Sequence, residues 1–96
     1  MTSKEHDNED ALLRALDARG FMPALVETAA SYHVTVRDLL GRSRVLPIPA
    51  ARRALWAHFT SKGLSASAVA TLFGRDRTTV SQAIAKHNRT TTENVA

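Results

Sequence analysis

The apolar residues of this 96-residue chain recur at intervals of three and four, and glycine or proline punctuates the runs. Such intervals place side chains on one face of an α-helix, whereas half-buried strands alternate with a period of two. The β-branched stretch "SYHVTV" is too short for a strand and has no partner run elsewhere, so we interpret it as a connection between helices. The pattern predicts an all-α fold of five to six short helices.

Residues at the ends of the early runs predict where each helix begins and ends. The first predicted helix starts with Asp10 as its N-cap and stops at Gly20. Pro23 suits the first turn of a second helix, since the first backbone N–H groups of a helix have no partner within it. Thr35 can then cap a single turn that ends at Gly41.

The connector "RSRVLPIP", residues 42–49, contains two prolines, which lack a backbone N–H and disfavour helix in the preceding residue. We expect an ordered loop there, followed by the longest helix after the prolines, which Gly63 ends. Trp56 and Phe59 share the apolar stripe of that helix and are predicted to lie in the core.

The end of the chain predicts two helices separated by a tight turn. Ser65 and Gly74 bound a helix of about two turns, and Asp76 is placed to cap the next one. One arc of that last helix is apolar, and the opposite arc is polar: Thr78, Thr79, Ser81, Gln82, Ala85, Lys86 and Arg89, with Arg77 at its leading end. This arrangement is typical of a helix-turn-helix, whose second helix reads the major groove of DNA.

Composition argues against several other function classes. The chain has no cysteine and its four histidines are scattered, so we expect no disulfide, metal site or cofactor. No nucleophile, base and orienting residue can be placed together, so we do not expect an enzyme. No apolar run approaches the roughly 20 residues of a membrane helix, and no signal-peptide pattern is present, so we expect a cytoplasmic protein without membrane partners.

Charge is distributed unevenly along the chain. Residues 1–36 carry three basic and six acidic side chains, whereas residues 37–89 carry ten Lys or Arg against two Asp, a net charge of +8. A surface this basic indicates a polyanionic partner, although a merely solvated basic face would have the same composition. The motif in the last helix favours double-stranded DNA.

The segments "ASYHVTVRDLLGRSR", "ARRALWAHF" and "FGRDRTTVSQAIAK" resemble the C-terminal DNA-binding domain of the bacterial replication initiator DnaA, over residues 23–88. The "GRDRTTVSQA" segment is the specific part of the match. The resemblance implies a Trp-repressor-like helical domain with a helix-turn-helix. It implies a nucleoid-associated regulator of replication initiation or of transcription.

The predicted DNA-contacting residues fall into three groups. Those that the resemblance implies for bases in the major groove are Asp76, Arg77, Thr78, Thr79 and Gln82. For the minor groove it implies Arg44 of the basic loop, with Arg42 beside it. Contacts with the DNA backbone are predicted for Arg52, Arg53, Ser65, Arg75, Ser81 and Lys86.

Two positions depart from the family's pattern. The family's paired glycine is here the single Gly74, and Arg77 stands where the family has histidine. Because arginine can pair with O6 and N7 of guanine together, we expect the target sequence to differ from the family's own. No G-x-x-x-x-G-K-[ST] motif occurs, so the initiator's nucleotide-binding site is not expected in this chain.

The ends of the chain lie outside the resemblance. Residues 1–22 are predicted to be an acidic extension with a short amphipathic helix, and residues 89–96 a flexible tail. Leu12, Leu13 and Leu16 in the extension either cover the domain's own core or dock a partner protein or a second copy of the chain. The alternative function is therefore an interaction module that binds replication-initiation or regulatory proteins, with little DNA binding of its own. The oligomeric state stays open.

Overall fold

The computed structural model describes the backbone of residues 3–95 and the side chains of residues 10–89. All regular secondary structure in that part of the chain is helical, which confirms the all-α prediction. The helices are α1 (Ser3–Ala18), α2 (Met22–Tyr32), α3 (Val36–Leu40), α4 (Ile48–Ser61), α5 (Ala66–Phe73) and α6 (Arg77–Val95).

Short polar side chains begin α3 and α5 where the sequence predicts them. The Thr35 hydroxyl accepts a hydrogen bond from the Asp38 N–H at 3.0 Å, and the Asp38 carboxylate accepts one from the Thr35 N–H at 3.0 Å. This reciprocal capping box stabilises the single turn of α3. Ser65 caps α5 by accepting from the Ala68 N–H at 3.0 Å, and Pro23 lies in the first turn of α2.

Three helix boundaries differ from the prediction. Helix α1 begins at Ser3, so Asp10 lies inside it and is not its N-cap. Helix α4 begins at Ile48, so Pro49 belongs to its first turn and the connecting loop covers only residues 42–47. The first turn accepts proline because its N–H groups have no intrahelical acceptor. Helix α6 runs to Val95, whereas the sequence predicts its end near residue 88. With 19 residues against 14, α6 and not α4 is therefore the longest helix after the prolines.

Aromatic side chains of α4, α5 and Phe21, the residue before α2, form the centre of the core. Phe59 of α4 lies 4.8 Å from Phe21 and 6.1 Å from Phe73 of α5, measured between ring centroids. Trp56 meets Phe73 edge to face at 5.8 Å. Trp56 and Phe59 are both buried, as predicted. Helix α4 packs against α2, α3, α5 and α6 and is therefore the central helix of the fold.

Helix α1 contributes to the same core. Leu16 is 0% exposed, and Leu12 and Leu13 pack against the buried cluster. At the surface, the Arg37 guanidinium donates to the Asp10 carboxylate at 3.1 Å. Of the two interpretations of this helix, its position favours the one in which it covers the domain's own core.

Among residues 3–95, none of the helices combines the length and the apolar character needed to cross a membrane.

Candidate nucleic-acid interface

Gly74, in the left-handed backbone conformation, ends α5 and begins the turn that leads to α6. Gly74 has φ +65°, and the N–H groups of Gly74 and Arg75 donate to the carbonyls of Thr71 and Ala70 at 3.3 and 2.8 Å. A Cβ at Gly74 would meet nothing within 4 Å, so the backbone conformation, and not space, favours glycine here. The turn redirects the chain into α6 within three residues.

Asp76 occupies the position before the first turn of α6. Its carbonyl accepts from the Val80 N–H at 3.1 Å, which makes it the N-cap position, as the sequence predicts. The Asp76 side chain is exposed. A carboxylate at this end of a helix interacts favourably with the helix dipole.

Helix α6 divides into a packed face and an exposed face. Val80 is fully buried, and Ala83, Ile84 and His87 are partly buried beside it. The division matches the predicted polar arc, because these residues of α6 are all exposed: Arg77, Thr78, Thr79, Ser81, Gln82, Ala85, Lys86 and Arg89.

The loop of residues 42–47 is held by hydrogen bonds along its length. The Val45 N–H donates to the Ser43 hydroxyl at 3.2 Å, and the Ile48 N–H donates to the Val45 carbonyl at 2.9 Å. The Arg52 guanidinium reaches across from α4 to the Ser43 carbonyl at 3.3 Å. The ordered loop expected from the sequence is present.

Arg52 faces inward. It is 8% exposed, and it also donates to the carbonyls of Asp38 and Leu39 at 3.0 and 3.4 Å. Burial lowers the pKa of Arg52, the Asp38 charge opposes that shift, and the Arg42 charge adds to it. The sequence predicts Arg52 as a backbone contact for DNA, but the structure places its guanidinium against the end of α3 and the loop.

Arg75 connects the α5–α6 turn to the end of α3. Its Nη2 donates to the Gly41 carbonyl at 2.6 Å, and its Nη1 donates to the Phe73 carbonyl at 3.5 Å. Burial, followed by the charges of Arg42 and Arg52, lowers the pKa of Arg75 to about 10. The cation stays protonated at neutral pH. No sequence pattern indicates this contact, which joins residues 34 positions apart.

A groove of about 750 Å³ lies between the loop and α6. Trp56 and Pro49 of α4 lie along it, and Thr79, Gln82 and Lys86 contribute from α6. The charged side chains that line it are the cations Arg42, Arg44, Arg52, Arg53, Arg75 and Lys86 and the single carboxylate Asp76.

The groove brings together most of the predicted DNA-contacting residues and leaves four outside. Arg77, Thr78 and Ser81 lie on the exposed face of α6 but do not line the groove. Ser65 lies at the start of α5 and is engaged as its cap. Apart from Ser65, the predicted residues therefore line the groove or lie on the adjacent exposed face of α6.

Within residues 10–89, no three His, Asp or Glu side chains gather closely enough to hold a metal ion. No protein-family model, curated protein or solved structure matches this chain, so the charge and geometry of the groove are the basis for assigning its ligand.

Proposed function

We propose that this protein binds double-stranded DNA in a sequence-specific manner. In the proposed complex α5 and α6 act as a helix-turn-helix, α6 lies in the major groove, and the loop of residues 42–47 approaches the adjacent minor groove. The observation that carries the proposal is the groove between that loop and α6, which gathers five cationic side chains besides the inward-facing Arg52 against one carboxylate.

The cations of this groove suit a phosphate backbone. Arg44, Arg53 and Lys86 reach its surface from the loop, α4 and α6, so they can contact phosphates on both sides of a duplex groove. Such contacts supply affinity and orientation without reading the sequence.

The exposed face of α6 suits base edges. Thr78, Thr79 and Ser81 are short, so the helix backbone can approach the base pairs closely. Gln82 can donate to and accept from adenine, and Arg77 can donate twice to guanine. Asp76, exposed at the start of the helix, can accept from a cytosine amino group.

Three arginines have a positioning role in this proposal. Arg42 donates to the Gly74 carbonyl at 3.2 Å, and Arg75 donates to the Gly41 carbonyl. Arg52 donates to the Ser43 carbonyl within the loop. These contacts join the loop to the α5–α6 turn. The two DNA-contacting elements are therefore held in a fixed relation before DNA binds, which reduces the entropy lost on binding.

The resemblance of residues 23–88 to the DNA-binding domain of the replication initiator supports the same assignment of residues. It also supports a role as a regulator of replication initiation or of transcription, acting at the nucleoid.

Selection from a pool of randomised duplexes tests the proposal. The full chain should enrich a defined sequence, and R53A/K86A should retain little affinity for any duplex. The matched control K62A removes an exposed cation at the far end of α4, outside the groove, and should bind as the wild type does. Enrichment of no sequence, together with equal retention of wild type and R53A/K86A, would exclude the proposed function and leave the protein-interaction alternative.

A further inference from the structure

The loop of residues 42–47 carries two large apolar side chains in solvent. Val45 is 69% exposed and Leu46 is 75% exposed. They are two of the three large apolar side chains that stand exposed in the described part of the chain, the third being Val26 of α2 at 54%. A tip with two adjacent apolar residues in water indicates a surface that is covered in a complex.

The tip is held in its exposed position by the loop itself. Hydrogen bonds fix the backbone on both sides of Val45, and Pro47 and Pro49 restrict the chain that follows. The side chains therefore cannot easily fold back onto the core. Their exposure is a property of the ordered loop.

The position of the tip identifies what covers it. Arg44, which directly precedes Val45, lines the basic groove, and so does Pro49, three residues after Leu46. Val45 and Leu46 lie between these two lining residues and so border the surface that we propose for DNA. The minor groove presents the apolar carbons of the deoxyriboses at its walls, and many proteins that bind this groove use apolar side chains together with basic ones.

From these observations we infer that Val45 and Leu46 enter the minor groove together with Arg44 and pack against its sugar walls. Arg44 supplies the attraction to the negative potential of the groove, and the two apolar side chains supply contact that displaces water from the sugars. This inference rests on the proposed DNA binding and adds a second, uncharged component to it.

The test compares V45S/L46S with R44A and with V26S, on the duplex that the wild type selects. The V45S/L46S variant should lose affinity by about tenfold with an unchanged salt dependence, since it removes apolar contact and no charge. R44A should also weaken binding, but with a salt slope reduced by about 1. V26S removes an exposed valine outside the groove and should bind as the wild type does.

Hydroxyl-radical cleavage gives the second readout, because these radicals attack deoxyribose from the minor groove. The wild type should protect a short run of sugars that V45S/L46S leaves open, while protection of guanine N7 in the major groove is unchanged. Circular dichroism checks that the variants are folded.

The possible failures are distinct. A wild type that binds no selected duplex removes the proposed function. If the wild type binds DNA and V45S/L46S equals it in affinity and sugar protection, only the inference about Val45 and Leu46 is wrong. The wild type could also self-associate as its concentration rises, or bind anionic lipid vesicles. If V45S/L46S abolishes either of these while its DNA binding is intact, Val45 and Leu46 contact a second copy or a lipid surface instead of DNA, and the inference is overturned.

Discussion

Arg42 and Arg75 make a reciprocal pair of hydrogen bonds with the backbone. Arg42 donates to the carbonyl of Gly74, the residue before Arg75, and Arg75 donates to the carbonyl of Gly41, the residue before Arg42. Each guanidinium thereby meets the carboxyl end of a helix, α5 for Arg42 and α3 for Arg75. Positive charge is favourable at that end because the last carbonyls of a helix are unpaired and carry its negative dipole end. The pair ties together two turns that are distant in sequence.

Removal of this tie should destabilise the protein. R75A loses the contacts with Gly41 and Phe73 and leaves partly buried carbonyls without a donor, so we expect the free energy of unfolding to fall by about 1 to 3 kcal/mol. Urea denaturation followed by circular dichroism measures it. The control R77A removes an exposed arginine two residues away and should change stability by less than about 0.5 kcal/mol. Equal midpoints for R75A and R77A would contradict a structural role for Arg75.

DNA binding should depend on the protonation of Arg75. Burial and the charges of Arg42 and Arg52 lower its pKa to about 10 in the free protein. If a phosphate of bound DNA lies beside Arg75, it favours the protonated guanidinium and raises that pKa, so the complex takes up protons and duplex affinity should fall as pH rises through about 10. Nuclear magnetic resonance of the Arg75 guanidinium, with and without duplex, measures the shift. A titration that DNA leaves unchanged would remove Arg75 from the neighbourhood of a phosphate.

Affinity should depend steeply on salt. If the five groove cations other than Arg52 each neutralise a phosphate, the logarithm of affinity should fall against the logarithm of salt concentration with a slope near −4.5. Fluorescence anisotropy with the selected duplex measures the slope. A value near zero would rule out a phosphate interface.

Arg77 and Arg53 should differ in what their loss does to specificity. R77A should cost about 1 to 3 kcal/mol on the selected duplex and relax the preference at one base pair, because arginine pairs with guanine through two donors. R53A should weaken binding to all sequences alike and reduce the salt slope by about 1. Competition with single-base variants of the duplex measures both. Equal losses on selected and random duplexes for R77A would exclude it from the base-contacting set.

Helix α1 should be needed for stability. L16A removes a fully buried side chain from the core and should lower the free energy of unfolding by about 2 to 5 kcal/mol. L46A removes the same atoms from an exposed position and should change it by less than about 0.5 kcal/mol. Urea denaturation of the two variants separates a core helix from one that serves only to dock a partner, for which L16A would be as harmless as L46A.

Local signals account for what the sequence predicted well. Thr35, Ser65 and Gly74 act through hydrogen bonds or dihedral angles within four residues, so their positions predict helix ends directly. The polar and apolar arcs of α6 follow from helical periodicity alone in the same way.

Contacts between distant segments account for what the sequence could not predict. Whether an arginine faces a phosphate or a carbonyl depends on what the fold brings to it, and Arg52 meets the end of α3, which precedes it by 13 and 14 positions. The prediction of Asp10 as the N-cap of the first helix was wrong for a related reason. Its residue type suits a cap, but α1 continues past it toward Ser3, and its carboxylate meets Arg37.

The reciprocal contacts of Arg42 and Arg75 fix the spacing within the proposed DNA-binding surface. In the proposed complex the distance from the loop to α6 is fixed by the protein, so a duplex must present its minor groove at that distance from the base pairs that α6 reads. Sequences whose minor groove is naturally of suitable width and phase fit without deformation, and others must be bent or widened at an energetic cost. In the proposed complex, Arg42 and Arg75 therefore make the protein sensitive to duplex shape, in addition to the base identity that α6 reads.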